Sequence, residues 1–167
     1  MRRVGIILAL CLLVASVLAP PALADSPHFN SASAKVSGAN LVVSFKESGL
    51  GNNQNITYVA RADASATYVC VNNGQKNPEA KNKTTVNGPV SATGTFSSGK
   101  NGSISNSLTI SPPGPGSFTC PSGQTRELAQ VTYRNVSITD TTNGIREQIP
   151  GTFTTGCLLP NVKGACS

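Results

Sequence analysis

The chain has 167 residues and a formal net charge of +6 at pH 7, with only 12% charged and 5% aromatic residues. Its basic residues are scattered and tryptophan is absent, which disfavours a nucleic-acid binder, because such proteins cluster lysine and arginine and stack bases on aromatic rings. The length suits one domain with a substantial core.

Residues 1–24 have the features of a secretory leader. Arg2 and Arg3 precede an apolar run over 4–19, and residues 22–24 supply a small-x-small cleavage pattern. The run is shorter than the roughly 18 residues that a membrane-spanning helix needs. We therefore expect general secretion into the extracellular medium, with no membrane association after cleavage. Because both arginines leave with the leader, the expected net charge falls from +6 to +4.

Alternating apolar residues predict short strands along the rest of the chain. In chain order the segments are 33–36, 41–46, 56–61, 65–73, 86–96, 104–110 and 128–149, the last as a pair of strands. Segment 65–73 is apolar on both faces, with Tyr68 and Cys70 on one side and Val69 and Val71 on the other. Such a strand belongs in the centre of a sheet.

The connection after 86–96 is predicted to be a tight turn. Asn-Gly at 101–102 is a strong hairpin signal, so we expect 86–96 to pair with 104–110. The Pro- and Gly-rich run 111–116 cannot continue a ladder and indicates an extended or turning connection. Earlier in the chain, the polar segment 72–83 is predicted to be the longest irregular loop.

The last pair of strands contains a change of side-chain parity. The apolar residues in 129–133 are odd-numbered, whereas those in 136–138 are even-numbered, so in a regular strand the two sets would face opposite sides. A bulge near Arg134 and Asn135 would let both sets face the core. Residues 140–144 are then expected to close a hairpin.

These patterns predict an all-β protein. About eight short strands, frequent turn signals and the absence of an amphipathic helical pattern after the leader are typical of β domains. We expect an antiparallel two-sheet sandwich, immunoglobulin-like or Greek key and stapled by disulfides, with a closed barrel as the alternative. The sandwich is expected to span 25–150, and 151–167 to form a disulfide-closed tail packed on or beside it.

Four cysteines remain after the leader: Cys70, Cys120, Cys157 and Cys166. An even number in an exported chain favours two disulfides, for which three pairings are possible. Cys120 shares the parity of Phe118 and so points inward like Cys70, which favours Cys70–Cys120 across the core and Cys157–Cys166 around a small loop. There is no Cys-x-x-Cys and His28 is the sole histidine, so no metal site is predicted.

Candidates for catalysis are few. His28 lies just after the leader, in a segment expected to be mobile, and a Ser-His-Asp triad would have to use it. Ser97 and Lys100 match the Ser-x-x-Lys pattern of penicillin-recognising enzymes, but beside a predicted turn and not at a helix start. Three acidic residues could form a carboxylate pair, although solvated strand positions explain them more simply: Glu127, Asp140 and Glu147. We expect no enzyme activity and no cofactor.

Two loops, 49–55 and 72–83, form the predicted binding surface, because rigid sandwiches commonly carry function on their loops. The candidate residues are Asn52, Asn53, Asn73, Lys76, Lys81 and Lys83. The three lysines would attract acidic partners such as anionic wall polymers. Sequons at Asn55, Asn82, Asn101 and Asn135 are interpreted as chance products of a surface rich in Asn, Ser and Thr.

Several phrases of the chain resemble known proteins. Ala-x-Tyr-x-Cys at 66–70 looks like the end of the immunoglobulin signature, but no tryptophan is present, so the likeness describes architecture only. The phrases at 43–51, 68–74, 111–121 and 139–144 resemble a group of secreted β-rich proteins of actinomycetes and some fungi with no assigned activity. This resemblance implies export, supports Cys70–Cys120 and implies no catalytic residue.

The leading functional hypothesis is a secreted, non-catalytic monomer that binds, or helps to build, something at the cell surface or in the medium. Its partner would be an extracellular protein or a cell-wall polymer. The first alternative is a secreted inhibitor or antagonistic effector that acts on another protein. A hydrolase is the second alternative, and two convergent carboxylates in a deep pocket would favour it.

Overall fold

The computed structural model describes residues 26–72 and 80–166. The predicted leader, 1–24, lies outside the described residues. The strands are β1 (His28–Ser37), β2 (Asn40–Ser48), β3 (Asn55–Asn72), β4 (Ala80–Ser97), β5 (Ser103–Ile110), β6 (Gln124–Asp140), β7 (Ile145–Ile149) and β8 (Phe153–Thr154), with a 3-10 turn at Gly99–Asn101. Neither described range contains a helix long and apolar enough to cross a membrane.

The eight strands form two antiparallel sheets. The first sheet has the order β1-β2-β5, and the second has the order β4-β3-β6-β7, with β8 paired to β6. The chain crosses between the sheets three times, from β2 to β3, from β4 to β5 and from β5 to β6, and β2 lies beside β5 and β3 beside β6. Connections of this kind characterise immunoglobulin-like sandwiches. The predicted all-β, antiparallel two-sheet fold is confirmed.

The core lies between the two sheets and takes the inward side chains of both. From the first sheet come Leu41, Val43, Phe45, Ile104, Leu108 and Ile110, and from the second come the alternating residues 56–68 of β3 and Val131, Tyr133, Val136 and Ile138 of β6. The Phe45 and Tyr58 rings meet across the sheets at a centroid distance of 4.4 Å. Because each large apolar side chain contributes about 1.5 to 3 kcal/mol when buried, this contact layer holds the sheets together.

The hairpin predicted at 101–102 is wrong. β5 pairs with β2 and not with β4, so the chain crosses to the other sheet here. Gly102 adopts a φ of 60°, and a Cβ added to it would lie 3.3 Å from the backbone of Gly51. The Leu50 N–H also donates to the Gly102 carbonyl at 3.0 Å. Contacts with the 49–54 loop therefore determine the direction in which the chain leaves the turn. These contacts join residues far apart in the sequence, so the Asn-Gly pair alone cannot predict them.

Two predicted boundaries are also wrong. Segment 56–61 and residues 65–72 of segment 65–73 belong to one strand of 18 residues, β3. The sequence predicts a loop over 72–83, but residues 80–83 begin β4, where Asn82 pairs with Cys70. The polar composition of 80–83 suggested a loop, yet the partner strand β3 supplies the backbone hydrogen bonds that keep these residues extended.

The predicted bulge in β6 is confirmed. Arg61 pairs with Ser137 and Asp63 pairs with Arg134, so β6 has one residue more than β3 in this interval. Asn135 lies inside it with a φ of 52°. The extra residue restores the inward direction of Val136 after Tyr133, and both are fully buried.

A second bulge, which the alternation did not predict, interrupts β6 near Ala129. Thr67 pairs with Gln130 and Tyr68 pairs with Leu128, which leaves Ala129 without a partner in β3. Ala129 therefore packs apart from Val131, in a separate group that we call the tail cluster. Its members are Val69, Ala80, Ala129 and Ala165, with Val71, Leu159, Val162 and Cys166 packed against them.

Both disulfides have the expected pairing. Cys70 at the end of β3 bonds to Cys120 in the connection between β5 and β6, and Cys70 is fully buried. Cys157 bonds to Cys166 within the C-terminal segment. That segment lies on the second sheet, since the Leu158 N–H donates to Ala129 O at 2.8 Å and the Ala80 N–H donates to Lys163 O at 3.0 Å.

Candidate functional site

Among the predicted binding residues that the structure describes, Asn52 and Asn53 lie far from Lys83. Asn52 and Asn53 are exposed, and the Asn53 N–H donates to Gly99 O at 2.6 Å. Lys83 is exposed on β4 opposite Val69. A strand rises roughly 3.3 Å per residue, so Lys83 lies roughly 45 Å along β4 from Ser97, the end that is close to Gly99 in the chain. Asn73, Lys76 and the Lys81 side chain are outside the described residues.

A groove on the outer face of the second sheet is a better candidate. It consists of two adjoining depressions that share Asp63, Pro89 and Asn135. The larger, about 510 Å³, extends to Thr132 and Arg134. The smaller, about 330 Å³, extends to Arg61, Ser91 and Arg146. We call the whole feature the arginine groove.

Strand register places the three arginines around the groove. Arg61 lies on β3 between Ser91 of β4 and Ser137 of β6. Arg146 lies on β7 opposite Thr139. Arg134 lies on β6 opposite Asp63. All three side chains are exposed, so their guanidinium groups are accessible to a ligand.

The bulge organises the middle of the groove. Asn135 donates from Nδ2 to Asp63 Oδ2 at 2.8 Å, which gives the one carboxylate of the groove a neutral partner. On β7, the Gln148 amide, oriented to satisfy both neighbours, accepts from Arg146 at 2.9 Å and donates to Val136 O at 3.0 Å. Side-chain amides therefore hold Asp63 and the Arg146 guanidinium in place.

Hydroxyl groups line much of the outer face on either side of the groove. Threonines on neighbouring strands are in hydrogen-bond contact, Thr57 with Thr95 at 2.9 Å and Thr67 with Thr85 at 3.3 Å. Thr132 and Thr154 approach to 3.2 Å. These cross-strand pairs stabilise the sheet and leave a flat polar surface that can hydrogen-bond an extended ligand.

The C-terminal segment covers one end of this outer face. Val69 points outward from β3, yet it is fully buried because the other residues of the tail cluster pack over it. A cleft of about 310 Å³ follows the edge of the tail, between Lys83 and Cys166. The tail therefore leaves the centre of the face, with the arginine groove, open.

Folding makes the exterior more basic than the composition suggests. Glu47 and Asp140 are fully buried. Among the side chains that the structure describes, nine exposed lysines and arginines face three exposed acids, Asp63, Glu127 and Glu147. An exterior of this kind attracts polyanions. The sequence analysis did not identify the groove arginines as binding residues. Their positions on the solvent-facing side of predicted strands, with Arg134 at the predicted bulge, could have indicated them.

The catalytic candidates do not meet in an open site within the part of the chain that the structure describes. His28 is exposed, and its ring Nδ1 lies 2.8 Å from Ser26 O. Ser97 and Lys100 are exposed at the end of β4 and in the 3-10 turn, not at the start of an α-helix. Glu127 and Glu147 are exposed on β6 and β7, whereas Asp140 is fully buried beside Glu47, a neighbour that sequence reasoning missed.

Metal ligands do not converge either within the described ranges, which contain no group of three or more His, Cys, Asp or Glu side chains close enough to hold an ion. Comparisons of the chain with protein-family models, with curated proteins and with solved structures found no match.

Proposed function

We propose that the protein is a secreted, non-catalytic binding module whose arginine groove takes an anionic extracellular polymer, such as a cell-wall polymer that carries phosphate or carboxylate groups. The observation that carries the proposal is the placement of Arg61, Arg134 and Arg146 around one open groove. The predicted leader and the two disulfides support an exported protein.

Arginine suits this ligand class. The guanidinium group presents a planar set of donors that matches phosphate and carboxylate oxygens, often with two hydrogen bonds at once. Each contact at an exposed site contributes little, about 0.2 to 1 kcal/mol. A polymer that engages several arginines at the same time gains avidity from the repeated contacts.

The groove has the length and openness for a chain molecule. Its two depressions follow one another along β3 and β4, with residues of β6 and β7 on the other side, so a linear ligand can follow the strands without entering the core. The surrounding threonine hydroxyls add hydrogen-bonding partners for sugar or polyol units. Binding of this kind requires no acid, base or nucleophile.

Retention on anionic polymers tests the proposal. The mature protein is incubated with a phosphate-bearing wall polymer, a carboxylate-bearing polysaccharide and a neutral glucan, and the bound fraction is measured over a salt series. We expect retention on the anionic polymers that weakens with salt and no retention on the neutral glucan. Arg61→Gln, Arg134→Gln and Arg146→Gln combined should reduce affinity by about threefold to about 150-fold.

A matched variant separates the groove from general charge. Lys35→Gln, Lys46→Gln and Lys100→Gln remove the same three charges from β1, β2 and the 3-10 turn. This variant should keep most of the affinity. Equal losses in the two variants would contradict a specific groove, and absence of retention on every anionic polymer would contradict the proposed function.

A further inference from the structure

Three polar side chains meet inside the core at one end of the sandwich. Glu47 continues the inward series of β2 after Phe45, and Tyr58 of β3 pairs in register with Asp140 of β6. Glu47, Tyr58 and Asp140 are all fully buried. We call these three residues the buried acid cluster.

Hydrogen bonds are distributed unequally within the buried acid cluster. Asp140 accepts from the Thr142 N–H at 2.8 Å, from the Asn143 N–H at 2.9 Å and from Asn143 Nδ2 at 2.6 Å. Neither carboxyl oxygen of Glu47 has a partner in hydrogen-bond geometry, and nor does the Tyr58 hydroxyl. Three N–H donors suit an ionised carboxylate, whereas an unpartnered buried carboxylate costs several kcal/mol. Glu47 is therefore the group that a proton would neutralise.

The surroundings of Glu47 strengthen this assignment. Phe29, Phe45 and Phe96 enclose the Tyr58 ring at centroid distances of 4.4 to 6.3 Å. Burial raises the pKa of Glu47 to about 7; the Tyr58 hydroxyl opposes the rise, the Asp140 charge adds to it, and the charge of His28 on β1 opposes it. These are the titratable groups that face Glu47 from β1, β3 and β6.

We propose that Glu47 is a proton-binding site that closes this end of the sandwich, where its protonated, neutral carboxyl group is buried near the Asp140 carboxylate. When the proton leaves for solvent, two carboxylates remain in an apolar enclosure. Hydration of Glu47 then relieves their repulsion, and this requires the surrounding segments to loosen.

The segments that would loosen adjoin a surface cavity. Gly49 and Leu50, which follow Glu47, line a cavity of about 380 Å³ together with Ile56, Thr142 and Asn143. Thr142 and Asn143 are also the residues that hold Asp140. Water can therefore reach the cluster by a short displacement of the 49–54 loop or of the turn after β6.

The direction of the pH effect follows from proton linkage. Between pH 4.5, the ordinary pKa of a glutamate, and about 7, the folded protein binds more protons at Glu47 than the unfolded chain does. The contribution of proton binding at Glu47 to the free energy of unfolding is complete below pH 4.5. It decreases as the pH rises to about 7 and then stays low. We expect the melting temperature of the wild type to fall by about 5 to 10 °C between pH 5 and pH 8.

Thermal unfolding of the intact disulfide-bonded protein from pH 4.5 to 8.5 tests the proposal. Glu47→Gln keeps the shape of a neutral carboxyl, so its melting temperature should exceed that of the wild type at pH 8 and change little with pH. Glu147→Gln, at an exposed position on β7, should keep the wild-type slope. A Glu47→Gln variant with the wild-type slope would overturn the proposal.

Three measurements on the wild type keep the test independent of that variant. Carbon-13 NMR of the glutamate carboxyls should show one group that titrates near pH 7, and the absence of such a group overturns the proposal. Calcium or magnesium should leave the melting temperature at pH 8 unchanged; a rise with either ion would identify a cation site instead. Hydrogen exchange, corrected for intrinsic rates, should increase at pH 8 in 47–56 and 140–145.

Discussion

At the scale of single residues, Asn135 combines a backbone role with a side-chain role. Its φ of 52° lies in the left-handed region, which asparagine tolerates because its short side chain bonds locally. Its side chain holds Asp63. The same residue therefore makes the bulge and organises the middle of the arginine groove.

Substitution of Asn135 should separate these two roles. Asn135→Gly and Asn135→Val both remove the bond to Asp63, but only valine must place a β-branched side chain at a positive φ. We expect valine to lower the free energy of unfolding by about 1 to 2 kcal/mol more than glycine does. Urea unfolding measures the difference, and equal stabilities would contradict the strained backbone at this position.

Glu47 shows what local reading of a strand misses. Leu41, Val43 and Phe45 alternate, and one more step of the same alternation reaches Glu47. Because Glu47 is charged, the sequence pattern predicts that the apolar face of β2 ends before it and that its carboxyl group is exposed to solvent. It is buried because β2 continues past it and remains paired with β1 and β5.

At the scale of elements, β4 must fit closely against the first sheet at some positions and not at others. A Cβ on Gly94 would lie 2.8 Å from Leu108 Cδ2 and 3.0 Å from the Phe96 ring, whereas a Cβ on Gly88 would meet nothing within 4 Å. Absence of a side chain at Gly94 therefore sets the local distance between β4 and β5.

This difference makes a matched pair of substitutions. Gly94→Ala should lower the free energy of unfolding by about 1 kcal/mol, since overpacking forces neighbours to shift. Gly88→Ala should be neutral or stabilising by up to about 1 kcal/mol, because alanine restricts the unfolded chain. Chemical denaturation of both variants checks this, and a larger loss at Gly88 than at Gly94 would contradict the packing described here.

The two disulfides act on loops of different length. Cys70–Cys120 closes 50 residues and Cys157–Cys166 closes 9. Loop-closure entropy assigns about 4 kcal/mol to the first and about 2.5 kcal/mol to the second.

Paired alanine substitutions test this order. Cys70→Ala with Cys120→Ala should lower the unfolding midpoint in guanidinium chloride more than Cys157→Ala with Cys166→Ala does. In the second variant, hydrogen exchange should increase around the tail cluster before it increases in the core. The reverse order of midpoints would show that the C-terminal segment contributes more to the sandwich than loop length implies.

At the scale of the whole molecule, burial changes the electrostatics. Two of the acids go into the core, and every basic side chain described stays outside. The outer face of the second sheet then divides into a covered end under the tail and an open centre with three arginines. This division is the basis of the proposed binding of an anionic polymer.

Sequence alone determined the fold class, the disulfide pairing, the bulge near Arg134 and the hairpin at 140–144. These depend on local patterns: side-chain alternation, cysteine number and parity, and turn chemistry. All eight phenylalanines and tyrosines pack in or against the main core, as their parity suggested.

Only the tertiary structure decided which strands are neighbours and, with that, where function is expected. Alternation tells which side of a strand faces inward, but it does not tell to which sheet the strand belongs, so β5 was assigned to the wrong partner. The arginine groove joins residues 61, 134 and 146, and the buried acid cluster joins residues 47, 58 and 140. Both are products of sheet order and register, which arise from contacts between segments far apart in the chain.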